Sequence, residues 1–346
     1  MFFKIKNRIE RELDAYIRKA KRLSSLKNIS PVLFNHIKEF ISRKGKRIRP
    51  ILFVVGYLGY AKKTAGGLYK SALSLELLHD FVLVHDDIID KSNTRRGKPS
   101  MHAMLNRFLR GRGNLKFNGE DLTIVIGDVM FAMALDAFLS VKEDCRRKEA
   151  ALKKLIEAAM YTGSGEFIEL LYGIKKITKI TKADIYKVYD YKTANYSFAS
   201  PLVFGAALAG ARDKELKKLF NYGIYLGRAF QIKDDIIGIF STEKEIGKSN
   251  LTDIHESKKT LLVWYSYRYS GRKDRAVIEK VFGKTTVSRK DLLTMRRIIS
   301  DSGALDYAKK EIYTLINKSR IINKSLGMKL QYRNSLADYA KTLLTP

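Results

Sequence analysis

Apolar residues in this chain recur mostly every three or four positions, the spacing that gathers side chains on one face of a helix. Ile9, Leu13, Ile17 and Leu23 mark a first amphipathic helix. Ser30-Pro31 opens a second, with serine as cap and proline in the first turn. A third starts at Pro50 and covers Ile51 to Tyr60, and a fourth, dense in apolar residues, covers Leu73 to Ile89. The stretch Asn106 to Asp121 holds Gly111, Gly113, Asn114, Asn118 and Gly119 and reads as a loop. Leu122 to Leu139 reads as a buried helix. Helical spacing continues through Ala150–Glu169, Lys182–Tyr191, Pro201–Leu208, Lys214–Phe240 and Lys259–Tyr267. No hairpin signal with alternating strands is present.

Composition narrows this to one all-α domain spanning 1–346. The chain has 346 residues, 45% of them hydrophobic, enough for a sizeable core. Its five prolines are scattered, and no Pro/Gly/Ser-rich linker, internal repeat or low-complexity tract divides it. Cys145 is the only cysteine, so no intrachain disulfide forms and a reducing compartment fits. Met1 to Glu12 lacks a signal-peptide core, and a cytoplasmic location is the expectation. The apolar Leu122–Leu139 stretch carries Asp128 and Asp136, which a membrane span rarely holds unpaired. The net charge of +30, from 66 Lys+Arg against 36 Asp+Glu, is extreme. Its cations are spread along the chain while its acids are clustered. That distribution argues against a nucleic-acid partner, and it suits a solubilising surface or a peripheral contact with anionic lipid.

The clustered acids carry the chemistry. One group reads His85-Asp86-Asp87-Ile88-Ile89-Asp90 and is followed by Arg95-Arg96-Gly97. The other reads Gln231-Ile232-Lys233-Asp234-Asp235 and is followed by Lys248 and Lys258. Asp86 and Asp90, four apart, share a helix face, with Asp87 beside them. Solvated acids at a helix end are the bland alternative, but a helix C-terminus disfavours them. The flanking Leu77, Leu78, Phe81, Val82, Leu83 and Val84 imply burial, and buried acids need a partner. Carboxylates, a divalent cation and phosphate form a coherent set, because Mg²⁺ is held by a few carboxylates plus substrate phosphates. Arginine forks such as Arg95-Arg96 match phosphate oxygens.

Together these stretches resemble the trans-isoprenyl diphosphate synthases, the chain-elongating prenyltransferases, over roughly Pro31 to Thr260. The matches run in order: Gly45–Pro50, Leu77-Leu78-His79, Asp86–Asp90, Arg95–Pro99, Gly127-Asp128, Lys192-Thr193-Ala194, Phe230-Gln231, Asp234-Asp235, Gly247-Lys248 and Asp253 to Thr260. The resemblance implies an isoprenoid synthase helical bundle around a central cavity, usually a homodimer, with the Leu122–Leu139 helix as a candidate interface. It implies Mg²⁺, three ions with diphosphate bound, or Mn²⁺ in its place. Asp86, Asp90 and Asp234 would be direct ligands, with Asp87, Asp235 and Asp253 acting behind them or through water. Lys46, Arg49, His79 and Arg96 would clamp isopentenyl diphosphate. Arg95, Lys192, Lys248 and Lys258 would clamp the allylic diphosphate, and Thr193 and Gln231 would line the reacting carbons. His79 by itself would read as a core histidine, but it stands seven residues before Asp86 and so on the same face.

Product length in such enzymes depends on bulk upstream of the first acidic motif. Phe81 is the fifth residue before Asp86 and Val82 the fourth. One aromatic there resembles geranylgeranyl diphosphate synthases of archaeal type, with farnesyl or longer products as the alternative. A helical wheel brings Leu78 and Val82 nearer the aspartate face than Phe81. The chain departs from the family pattern at Gly238, at Glu166 after Gly165, at Ser257 before Lys258, and in the length of Asn106–Asp121. Glu166 adds a negative charge near the implied site without an evident purpose. A terpene cyclase would not need the second clamp, and a non-catalytic regulatory subunit would not need intact aspartates.

Overall fold

The structure, a computed structural model, describes residues 1–19, 21–242 and 251–343. Helices α1 (Phe2–Lys19), α2 (Lys21–Ile29), α3 (Pro31–Ile41), α4 (Ile48–Tyr60) and α5 (Leu68–Ile89) come first. One helix was expected up to Leu23; the described residues are helical on both sides of position 20, which lies outside them. Ser30 caps α3 by accepting a hydrogen bond from Leu33 N–H at 3.2 Å, as its sequence implied. The third helix begins two residues before Pro50, at Ile48, after Arg47 adopts a left-handed conformation (φ 55°).

The expected loop from Asn106 to Asp121 is a correction. Helix α6 (Met101–Leu109) covers its start and α7 (Gly119–Phe138) its end, leaving 110–118 between them. Asn118 and Asp121 are loop formers by type, but here they build a reciprocal cap: Asp121 N–H donates to Asn118 Oδ1 and Asn118 N–H to Asp121 Oδ2. Helix α7 is buried along one face that includes Thr123, Ile126, Met130, Met133 and Ala137, whereas Ile124 and Val125 face outward. A second correction is a two-residue hairpin, β1 (Thr94–Arg95) against β2 (Lys98–Pro99). It is too short to show alternation in the sequence.

Helix α8 (Cys145–Gly173), α9 (Lys182–Val188), a π-helical stretch over Tyr189–Ala199, α10 (Ser200–Leu208) and α11 (Asp213–Phe240) follow. Beyond a single turn at Thr252–His255 come α12 (Leu261–Tyr269), α13 (Arg272–Phe282), α14 (Arg289–Asp301), α15 (Ala304–Lys324) and α16 (Leu330–Thr342). The last four are amphipathic helices for which no expectation was set. Helix α5 packs along α7, α4 against α10, and the π-helical stretch lies between α8 and α11. Their facing sides surround a central space at the C-terminal end of α5. No helix among the described residues is long and apolar enough to cross a membrane.

Candidate active site

The first acidic motif ends α5, where Asp90 is the C-cap and its N–H returns to Asp86 O at 2.8 Å. Asp86 and Asp90 face the central cavity, which is about 580 Å³. Asp87 turns inward and is fully buried. Arg95 joins the two sides: its Nε donates to Asp87 Oδ1 at 2.6 Å and its Nη2 to Asp86 Oδ2 at 3.0 Å. Burial pushes the Asp87 carboxyl up to about 6, although Arg95 opposes the shift. Burial and the neighbouring Asp86 also raise Asp90, while Lys258, 3.6 Å away, pulls it back. Glu256 is pushed up to about 8 by burial, against the pull of Lys258 at 2.8 Å.

The hairpin aims two consecutive arginines at different targets. Arg96 (φ 57°) and Gly97 (φ 72°) occupy its turn, both left-handed, as a tight two-residue hairpin requires. Glycine reaches that conformation at no steric cost, whereas Arg96 is held there by its neighbours. Arg43 fixes the ribbon from below, donating to Arg95 O at 3.2 Å and Pro99 O at 2.8 Å. Arg95 therefore meets Asp86 and Asp87, and Arg96 comes within 3.2 Å of buried Asp80 and 3.5 Å of Glu76.

Lys192 and Thr193 project from the π-helical stretch, a widened geometry that often marks functional sites. Lys192 Nζ lies 2.5 Å from Glu169, 2.6 Å from Glu166 and 3.6 Å from Asp86. Burial opposes its charge, but Glu169 and Asp86 outweigh burial and keep it protonated. This approach requires Gly165, because a Cβ there would stand 2.5 Å from Lys192 N. Oxygens of Asp86, Asp90 and Glu166 all lie within 4.8 Å of one another. Three carboxylates at that separation fit a hard divalent cation such as Mg²⁺. The Glu166 that had no purpose in the sequence thus stands with the two leading aspartates. Burial raises its carboxyl, Lys192 lowers it, and Asp86 raises it further.

Asp234, Asp235, Gln231, Thr193 and Lys258 line the same cavity. Asp235 is buried and accepts from Gln231 Nε2 at 2.8 Å and from the Tyr189 hydroxyl. Lys248 lies outside the described residues, as does the side chain of Asp253. Phe81 and Val82 line the cavity wall, with the Phe81 ring 5.4 Å from that of Phe131. Leu78 is buried in the core and is not among the lining residues.

A second cavity, about 610 Å³, adjoins the first and shares Arg49, His79, Ser197 and Phe230 with it. It gathers Lys46, Arg49, His79 and Arg96, the four residues expected to act together. Arg49 Nη2 donates to Ser197 Oγ at 2.6 Å, and its guanidinium lies 4.7 Å from the Tyr196 ring centre. Arg49 Nε, His79 Nδ1 and Arg96 Nη1 are buried and have no hydrogen-bond partner within the protein. Burial, then Arg49 and Arg96, hold the His79 imidazole well below its ordinary pKa and therefore neutral. Arg47, between the two expected cations, does something else. It is buried on Glu76 and on Glu10 at 3.0 Å. Glu169, Glu256, Arg43 and Tyr189 were not anticipated; the i,i+3 spacing of Glu166 and Glu169 was the readable sign.

The polyprenyl synthetase family profile matches residues 30–299. The chain belongs to the polyprenyl synthetase family. As a member it is a prenyltransferase. Among curated relatives, the geranylfarnesyl diphosphate synthase of Aeropyrum pernix is 33% identical over 287 residues, covering 82% of this chain and 84% of its own. The geranylgeranyl diphosphate synthase of Saccharolobus solfataricus is 31% identical, covering 83% and 84%. Among solved structures, a geranylgeranyl pyrophosphate synthase from Corynebacterium glutamicum, complexed with isoprenyl diphosphate and magnesium, has a TM-score of 0.86 at 24% identity, covering 99% and 98%. The geranylgeranyl pyrophosphate synthetase of Pyrococcus horikoshii gives 0.81 at 25% identity, covering 100% and 98%. The all-α isoprenyl diphosphate synthase fold is therefore that of this chain.

Proposed function

We propose that this prenyltransferase condenses isopentenyl diphosphate head to tail (1′-4) with allylic diphosphates, releasing a trans-prenyl diphosphate of twenty carbons. The observation that carries the reading is the pair of adjoining cavities. One combines carboxylates with Arg95, Lys192 and Lys258; the other holds the buried, unpartnered Arg49 Nε and Arg96 Nη1 with His79 Nδ1. Anionic oxygens would satisfy those donors, whose unmet burial otherwise costs about 1–3 kcal/mol each. Two diphosphates need two such places; a cyclase or a nucleic-acid binder needs only one or none.

In this reading Lys46, Arg49, His79 and Arg96 hold isopentenyl diphosphate. Arg95, Lys192, Lys248 and Lys258 hold the allylic diphosphate. Asp86, Asp90 and Asp234, joined by Glu166, would hold Mg²⁺, three ions in all or Mn²⁺ in their place, which neutralises charge developing on the departing diphosphate. Asp87, Asp235 and Asp253 would act behind the direct ligands or through water. Arg95 and Lys192 stabilise the same charge from the protein side. Thr193 and Gln231 present oxygen lone pairs to the allylic cation. The isopentenyl double bond attacks C1 of that cation, the new carbon–carbon bond forms, and the proton lost from C2 goes to the released diphosphate. Phe81 and Val82 exclude water and limit the growing chain, with Leu78 supporting them from the core.

The protein would work in the cytoplasm as a homodimer through the outward face of α7, where Ile124 and Val125 are about half exposed. Its +30 charge suits contact with anionic membrane where an amphiphilic product leaves. Incubation with isopentenyl diphosphate, each allylic primer in turn and Mg²⁺, with products resolved by length, tests the function. A twenty-carbon product supports it; fifteen carbons or a much longer chain overturns the length alone. Absence of any elongation overturns the condensation itself. Light scattering of Val125→Arg beside the unaltered protein tests the dimer, which the variant should split.

A further inference from the structure

Tyr189 is a largely buried tyrosine on the lining of the central cavity, and its hydroxyl closes a hydrogen-bonded chain that ends at the reacting carbons. Leu261 is the first residue of α12, so its N–H has no partner inside the helix. That N–H donates to the Tyr189 oxygen at 3.0 Å. A backbone N–H can only donate, so the Tyr189 hydroxyl proton points elsewhere, and its other neighbour is Asp235 Oδ2. Asp235 Oδ1 then accepts from Gln231 Nε2 at 2.8 Å. Gln231 Oε1, fixed as the acceptor end of the amide, receives the Thr193 hydroxyl proton at 2.6 Å. The Thr193 proton is thus turned away from the cavity and its lone pairs remain toward it.

We infer that Tyr189 is a positioning residue for the condensation: through Asp235 it fixes which end of the Gln231 amide meets Thr193, and so presents oxygen rather than hydrogen to the allylic cation. An amide can flip by half a turn at little steric cost, and the direction of the surrounding bonds decides which way it stands. A flipped amide would send N–H toward Thr193 and reverse the polarity facing a carbocation. Burial, then Asp235, hold the Tyr189 phenol well above its ordinary pKa, so it stays a donor at any working pH. The chain also ties three elements together: the π-helical stretch bearing Lys192 and Thr193, α11 with Gln231 and Asp235, and the segment that follows Lys258. The inference rests on the proposed placing of Thr193 and Gln231 at the reacting carbons.

Steady-state kinetics of Tyr189→Phe, which keeps the ring and removes the hydroxyl, is the test. The expected result is a kcat about 10–100-fold lower, the scale of losing a group that orients a reacting one. The KM values for both diphosphates should stay within about threefold, because only a transition-state contact is lost. In a Gln231→Leu background the same change should cost nothing more, since its route is already cut. An unaltered kcat, or an equal loss in both backgrounds, overturns the inference. Should Tyr189→Phe fail to fold, Asp235→Asn carries the test: kcat falls and stays low at saturating Mg²⁺. Recovery of kcat at saturating Mg²⁺ makes the loss one of metal binding alone and overturns it. If the unaltered protein elongates no primer, the functional reading falls and this inference with it; if it elongates and Tyr189→Phe matches it, the inference alone falls.

Discussion

Replacing Glu166 by glutamine separates its two roles, pairing with Lys192 and facing a cation with Asp86 and Asp90. At an effective dielectric near 20, a carboxylate 2.6 Å from an ammonium gains about 6 kcal/mol of gross attraction. Asp86 and Asp90, each within 4.8 Å, repel it by at least about 3.5 kcal/mol apiece on the same scale. The two contributions nearly cancel, and Glu169 at 2.5 Å still holds Lys192 in the variant. Glu166→Gln should therefore leave the unfolding midpoint of the metal-free protein within a degree or two of the original, about 0.5 kcal/mol. With a divalent ion present the balance changes, because repulsion among the carboxylates becomes shared attraction. Losing one of three anionic oxygen donors should weaken Mg²⁺ by about 10–100-fold, or 1.4–2.8 kcal/mol. Calorimetric titration of Mg²⁺ into protein saturated with inorganic diphosphate measures this without turnover. An unchanged Mg²⁺ affinity refutes the reasoning and confines Glu166 to pairing with Lys192. A large loss of metal-free stability refutes the cancellation.

Three further outcomes are expected. Phe81→Ala moves the cavity floor down one helical turn, about 4.5–6 Å. That is on the order of one five-carbon unit of four bonds, so chromatography should show a product one unit longer; unchanged length would assign the floor to other residues. Arg47→Ala leaves buried Glu76 without its principal partner, and urea unfolding should show a loss of about 3–5 kcal/mol; a loss under 1 kcal/mol would mean that the carboxylate finds water. Burial raises Asp80 to about 7, with Arg96 opposing and Glu76 adding. Between about pH 4 and 7 the folded state then holds a proton that the unfolded state has released, so this group lowers stability as pH rises through that window. Asp80→Asn should lose less thermal stability between pH 5 and 8 than the original, and equal slopes would discount Asp80.

Much of the site could be read from the chain because its chemistry lies in short runs on single helices. Asp86 and Asp90 at the end of α5, and Lys46 with Arg49 around the start of α4, keep their relation because each pair lies within four residues of chain. His79 was legible for the same reason. What escaped depends on approach between elements distant in sequence. Glu166 gains meaning only when Gly165 lets α8 touch the backbone at Lys192. Tyr189 matters only because a widened helix turns it toward Asp235. Arg47 reads as one more cation until its left-handed backbone sends it into the core. The loop expected over Asn106–Asp121 failed differently: Asn118 and Asp121 favour turns, and the same hydrogen-bonding capacity makes them a helix cap. The hydrophobic pattern of α7 could not distinguish the face buried in the core from the face that carries exposed Ile124 and Val125.

The two cavities are separated by a wall rather than by distance, and Arg49, His79, Ser197 and Phe230 face both sides of it. Side chains with two faces cannot respond to one occupant without altering the surface offered to the other. The two ligands are then thermodynamically linked, and by reciprocity each must change the other's affinity by the same factor. A dianion engaging Arg49 from one chamber draws its charge away from the next, so the order in which the chambers fill becomes a property of this wall. An inhibitor carrying two anionic heads on a short spacer would find both chambers within one molecule's span.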